Sequence, residues 1–252
     1  MNFTTIMAEQ EDWLMLQSRV EAETLDIYLD LKSPHAYLAI RPSLEIARDF
    51  KVSLNFLPYT LSYESLGLTK RIGADRQREP ASAAADRKAR MYYAAAREYA
   101  ALQSLPFKSP IRLLDSELAH RVFLFAKTQG LEVPFAMCVY LQGWGSGWRD
   151  FELESTRDLI AACHKVGVDT SGLETFLDED GDAQAQLVTI GAQAESEGLV
   201  GVPHYVFHDR DKDRRVGLFG REHLALIRRK YLEWGLARHD EVVADFLHTW
   251  PG

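Results

Sequence analysis

The rhythm of apolar positions changes three times along the chain. Leu25–Leu31 carries Ile27, Tyr28 and Leu29 in a β-type run and is predicted as a first strand. From Pro34 onward Ala36, Leu38, Ala39, Leu44, Ile46 and Ala47 recur at helical spacing. This predicts a helix to Asp49, with Pro42 marking a kink or break inside it. Val52–Leu57 alternates up to Pro58 and reads as a second strand. Strand, helix and strand on short links predict a parallel βαβ unit.

Residues 61–190 change character and hold little strand signal. Helical patterns cover Arg78–Leu102, Ser116–Gln129, Val133–Leu141, Ser155–Val166, Leu173–Leu177 and Asp182–Glu197, the last stopped by Gly198. The β signal returns at His204–His208 and Arg214–Phe219, a predicted hairpin around the charged turn Asp209–Asp213. Arg221–Trp234 closes as a helix with Leu224, Ile227 and Tyr231 on one face. The layout is βαβ, a helical block, then ββα: one sheet in two halves with an all-helical insertion. The expected division is an acidic extension (1–22, with a short helix around Gln10–Val20), a sheet domain (23–60 and 191–240) and a helical insertion (61–190).

Composition narrows the function. The 252 residues are 46% hydrophobic and 26% charged, ordinary for a chain that buries a core. A formal net charge of -8 argues against a general nucleic-acid or anionic-membrane surface. No apolar stretch approaches the roughly 20 residues that span a bilayer, and MNFTTIMAEQEDW lacks the basic start of a secretion signal. Cys138 and Cys163 form neither a CxxC nor a zinc-type spacing, and so few thiols point to a reducing cytoplasm. His204 and His208 share a strand face without a third ligand, so half-buried structural histidines are expected and no metal. The run RQREPASAAADRKAR (76–90) is expected to be a solvated, mobile face.

The chemistry concentrates at DLKSPHAY (30–37), where a strand turns into a helix. Ser33 is a favoured N-cap and Pro34 a favoured first helical residue, so the pair can be read as a helix start and nothing more. The same helix end offers free N–H groups and about half a positive charge, which favour an anion and lower a thiol's pKa. No G-x-S-x-G elbow supports Ser33 as a nucleophile.

The arrangement βαβ…ββα resembles the α/β thioredoxin fold, and its helical insertion resembles the DsbA-like variant. Where redox members open the first helix with CPHC, this chain has SPHA (33–36). That pattern resembles the 2-hydroxychromene-2-carboxylate isomerase and kappa-class glutathione transferase branch, in which bound glutathione supplies the thiol. KARMYYAAAREYAALQSLPFKSP (88–110), GLEVPFAMCVYLQGWGSGWRD (130–150), GLVGVPHYVF (198–207) and GLFGREHLALI (217–227) are similar to that branch's runs.

The resemblance implies glutathione as cofactor, bound by Ser33, Pro34, Val202, Pro203, Arg221 and Glu222. Ser33 would hold the sulfur as thiolate. Pro203 would be cis, with Val202 pairing to the cysteinyl backbone. Arg221 and Glu222 would take the γ-glutamyl end, in a departure from the branch's usual small residue and aspartate. A small aromatic carboxylate would be the substrate, with Arg87, Lys88 and Arg90 as candidate holders, and the resemblance admits a homodimer. His35, Tyr92, Tyr93, and Trp144 and Trp148 in the expected Gly-rich turn GWGSGW (143–148) could shape the substrate pocket or pack the helical core. A kappa-type transferase and a non-catalytic binding protein are the other functional readings.

Overall fold

Strands β1 (Glu23–Leu29) and β2 (Val52–Pro58) run parallel, with Ile27 opposite Phe56. On the other side of β1 lies β3 (His204–Asp209), antiparallel, with Tyr205 opposite Ile27. The hairpin strand β4 (Arg214–Phe219) completes a four-stranded sheet of order β2-β1-β3-β4. Both ends of the sequence thus build one sheet. The computed structural model describes residues 13–62, 83–110, 114–178 and 181–245. The expected helix around Gln10–Val20 is a short α1 at 13–17, and residues 10–12 lie outside the described ones, as do residues 76–82 of the run expected to be solvated and mobile.

Between the strand pairs come α2 (Pro34–Tyr37), α3 (Ile40–Asp49), α4 (Ala83–Leu102), α5 (Glu117–Lys127), α6 (Glu132–Ser146), α7 (Thr156–Lys165), α8 (Leu173–Leu177) and α9 (Asp182–Ser196). A 3-10 turn (Arg221–His223) leads into α10 (Leu224–Glu233). On one face Tyr231 of α10 meets Phe207 of β3 at 6.1 Å and Phe50 at 5.6 Å. Trp13 of α1 stands edge-on to Phe56 at 5.6 Å, covering the β2 edge, a device that blunts edge pairing. No described helix is long and apolar enough to cross a membrane.

Three boundaries differ from expectation, each for a local reason. β1 stops at Leu29, not Leu31, because the Asp30 carboxylate accepts the Lys32 N–H at 3.0 Å and turns the chain out of the sheet. The helix expected over Pro34–Asp49 breaks at Leu38-Ala39. Pro42 has no N–H to return to the Leu38 carbonyl four residues back. That oxygen instead accepts from Gln103 Nε2 at 3.1 Å and Arg221 Nη1 at 3.5 Å. Leu38 and Ala39 keep right-handed helical dihedrals, so the backbone turns on through the break.

The third difference is GWGSGW, expected as a turn, which is helical to Ser146 and stops at Gly147 in the left-handed conformation (φ 68°). Gly143 sits inside α6 because the Trp148 ring folds over it; a Cβ there would lie 2.4 Å from the indole.

Beneath the β1–α2 turn lies a carboxylate shut off from water. Asp30 is 0% exposed. Lys32 Nζ reaches its Oδ2 at 2.9 Å, and the Leu61 N–H donates to the same oxygen at 2.8 Å. The Ser116 hydroxyl donates to Oδ1 at 2.6 Å and accepts from Lys32 Nζ at 3.0 Å. The Asp30 carbonyl takes the Ser33 N–H at 2.8 Å and the Tyr140 hydroxyl at 3.0 Å. The Leu31 N–H donates to His120 Nε2 at 3.0 Å, so that nitrogen is bare and the ring proton is on Nδ1, facing Thr60 Oγ1 at 2.8 Å. The 3.3 Å approach of Nε2 to Asp30 is therefore a contact and not an ion pair.

Burial alone would push the Asp30 carboxyl up. The Lys32 ammonium and the hydrogen bonds outweigh it and hold the group well below the usual range. A depressed folded pKa stabilises the fold above the ordinary aspartate value, about 4, and that contribution is withdrawn as pH falls below it. Asp30→Asn removes the carboxylate that lies 2.9 Å from a buried ammonium and is expected to cost about 3–5 kcal/mol in urea unfolding. Asp30→Leu with Lys32→Met should recover most of that loss, because an apolar pair of similar volume leaves no charge unpaired. A loss below about 1 kcal/mol for Asp30→Asn, the range of a surface pair, would refute the anchoring role.

Candidate active site

The register of the sheet decides what meets Ser33. Tyr28 lies opposite His204, so Pro203 comes level with the last residue of β1, next to the turn that carries Ser33. The Val202-Pro203 bond is cis, as the resemblance implied. The Gly220 N–H donates to the Pro203 carbonyl at 2.9 Å, which draws the Arg221–His223 turn to the same place. Gly220 has φ 110°, and a Cβ on it would strike the Glu222 carboxylate, which folds back to within 2.4 Å of that position. Ser33, Pro34, Val202, Pro203 and the Arg221–Glu222 step are thus gathered at one end of the sheet.

Ser33 caps α2: its Oγ accepts the Ala36 N–H at 3.3 Å, with Pro34 as first helical residue. The side chain is 6% exposed. Among the described residues nothing accepts its hydroxyl proton. Neither cysteine can stand in for the missing thiols. Both are buried, and burial pushes Cys138 up to about 11 and Cys163 up to about 12.

His35 is half-buried, edge-on to Tyr92 at 5.9 Å, and its Nε2 has no partner among the described residues. Of the expected carboxylate holders, Lys88 is placed over the Tyr92 ring, 6.0 Å from its centroid; Arg87 and Arg90 are exposed on α4. Arg221 turns inward. It is 7% exposed, its guanidinium 4.1 Å from the Tyr99 ring centroid and its Nη1 on the Leu38 carbonyl, while Glu222 is exposed. Tyr93 and both tryptophans belong to the helical core: Trp144 stacks on Phe107 at 4.9 Å and meets Trp148 at 5.3 Å, and Tyr93 lies 6.2 Å from Trp144.

His204 and His208 are not alike, as shared half-burial would require. His204 is 2% exposed against Tyr28, whereas His208 is exposed beside Asp213 at 3.2 Å. Among the described residues no three His, Cys, Asp or Glu side chains could hold a metal ion.

Sequence reasoning missed Asp30, Lys32, Ser116, His120 and Tyr99. The first two left a signal: an acid and a base two apart, in an otherwise apolar run next to Ser33. Ser116, His120 and Tyr99 left none, since each is unremarkable within an amphipathic helix pattern.

A family model described as a DSBA-like thioredoxin domain matches residues 24–232. A comparison with curated proteins returned no match. Among solved structures, one of 2-hydroxychromene-2-carboxylate isomerase is similar at a TM-score of 0.64 and 20% identity, over 84% of this chain and 96% of that one. A probable DsbA oxidoreductase from Streptomyces coelicolor gives 0.62 and 17%, over 88% and 94%. The cytosolic disulfide reductase DsbM from Pseudomonas aeruginosa, solved with GSH, gives 0.58 and 13%, over 84% and 97%. At these identities the likeness is one of fold.

Burial first, then the Arg221 guanidinium, hold the His35 imidazole below the usual histidine range, while Glu222 pulls the other way. His35 is therefore neutral at pH 7. Arg221→Met should raise its titration midpoint, followed by NMR, and Glu222→Gln should lower it further. Shifts of the same sign in both variants would contradict this electrostatic arrangement.

Proposed function

Because the chain belongs to the DSBA-like thioredoxin-domain family and carries Ser33 where redox members open CPHC, we propose that it is a glutathione-dependent isomerase of the 2-hydroxychromene-2-carboxylate type. Its substrate would be a small aromatic carboxylate and its compartment a reducing cytoplasm. Two structural neighbours are consistent with this: one bears that isomerase's name and another was solved with GSH. At 20% and 13% identity neither carries a substrate across. The observation that carries the proposal is Ser33, whose hydroxyl caps the helix as an acceptor and keeps its own proton for a ligand.

Glutathione, when bound, supplies a thiol whose reversible addition to a conjugated carbon lets a double bond rotate. The chain's part is to hold that sulfur ionised. Ser33 donates its hydroxyl proton, and the start of α2 contributes a positive field. No protein thiol competes, and a serine cannot form a disulfide, so redox exchange is lost while thiolate stabilisation stays. Val202, next to the cis bond, would present backbone to the tripeptide, and His35, whose buried Nε2 has no partner among the described residues, follows Ser33 by two positions. Lys88, over the Tyr92 ring, would be the cation for a substrate carboxylate. The γ-glutamyl end fits less well, because Arg221 is already engaged with Leu38 and Tyr99, leaving Glu222 as the exposed group for an ammonium. That engagement favours the second reading, a binding protein without turnover.

Calorimetry with glutathione separates the two. The isomerase reading expects a dissociation constant of about 1 mM or tighter; one far weaker removes it. Ser33→Ala should still bind but lose the thiolate absorbance at neutral pH. An unchanged spectrum would remove Ser33 as the donor while leaving glutathione in place.

A further inference from the structure

Away from Ser33, the β2 edge covers a polar cavity of about 140 Å³. It lies at Ser53–Asn55, level with the first half of β1, whereas Ser33 follows the end of that strand. The roof is α1, pinned by Trp13 Nε1 and Gln17 Nε2, both donating to the Gly130 carbonyl at 3.0 and 2.9 Å. Three charged side chains line the space, the half-buried Arg19 with Lys127 and Glu132, and among the described residues the last two do not join. Lys127 Nζ donates to Asn55 Oδ1 and to the Phe56 carbonyl, two of the three bonds an ammonium can give. Glu132 is 5% exposed, and its Oε2 has no partner among the described residues. An unpaired carboxylate oxygen in such a place is costly.

Burial raises the Glu132 carboxyl, against the pull of its own N–H and of Lys127, and burial lowers the Lys127 ammonium against the pull of Glu132 and Asp26. Among the described residues neither group has a counter-charge at contact distance. Arg19, Gln17 and Ser53 add polar groups at the wall, and Trp13, Leu16, Ala47 and Leu54 are its apolar part. Water occupies about 30 Å³ per molecule in the liquid, so the cavity has room for several waters or one small organic molecule.

We propose that this cavity is a binding site for a small zwitterionic α-amino acid, its ammonium on Glu132, its carboxylate on Lys127 and its side chain against Trp13 and Leu54. A zwitterion gives Glu132 Oε2 a donor and Lys127 its third acceptor at once, and brings no net charge into the cavity. A simple anion leaves Glu132 unsatisfied, and a simple cation leaves Lys127 so. The site is independent of the glutathione reading.

The test uses the full chain, titrated with glycine, alanine and serine, and with propionate and propylamine, which each lack one charge. Binding is read by calorimetry and by the Trp13 indole N–H resonance. The expected result is saturable binding by the amino acids with an indole shift. Propionate and propylamine, and the variants Glu132→Gln and Lys127→Met, should each bind about tenfold more weakly or worse. Absence of saturable binding by any amino acid overturns the proposal. So does equal binding by propionate, or full affinity in Glu132→Gln. Should Lys127→Met fail to fold, a crystal of the unmodified chain soaked in alanine decides. Density bridging Nζ and Oε2 supports the site; ordered water alone rejects it.

Discussion

Asp30 is held by charge where no water reaches it, and the end of the sheet is organised around that fact. A buried carboxylate is tolerable only if every lone pair finds a donor. Asp30 finds its donors on three separate stretches: Lys32 in its own turn, Leu61 after β2, and Ser116 at the head of α5. Its carbonyl recruits Tyr140 from α6. A single side chain thereby fixes the helical block against the sheet at the place where Ser33 emerges, three residues later. An apolar pair would pack as well and would not specify which loops must meet.

The second organising contact is electrostatic too, but through the backbone. The Leu38 carbonyl, freed by Pro42, takes donors from Gln103 at the end of α4 and from Arg221 before α10. Arg41 returns a bond from α3 to the Gln103 carbonyl at 3.2 Å. Arg221 in turn rests on Tyr99 of α4. The helix that carries Lys88 and Tyr92 over His35 is thus tied at its far end to the same turn that supplies Glu222. The placement of Ser33 is inherited from these two ties.

How much of this was legible follows from range. Period-2 and period-3.6 patterns report which residues face a core, and they located every strand and nearly every helix described. The Ser33-Pro34 cap is a local device, written in two adjacent letters, and was legible as such. Pro42 announced a break, but the break fell at Leu38-Ala39, because the missing N–H acts on a carbonyl four residues earlier. The GWGSGW run misled because Gly143 serves Trp148's ring rather than a turn. Partners more than eighty residues apart, such as Asp30 with Ser116, leave no periodic trace. Arg221 was expected at the γ-glutamyl end, and only the fold reveals the aromatic ring and bare carbonyl that draw it inward.

A carbonyl oxygen has two lone pairs, and at Leu38 both are spoken for by side chains from elsewhere in the chain. Any residue other than proline at position 42 would bring a third claimant, the nearest and best aligned of the three. Straightening one helix would then evict an outside guest and let the far end of α4 drift. Regularity in one element and attachment of another compete here for the same atom, and an imino acid is how the contest is kept closed.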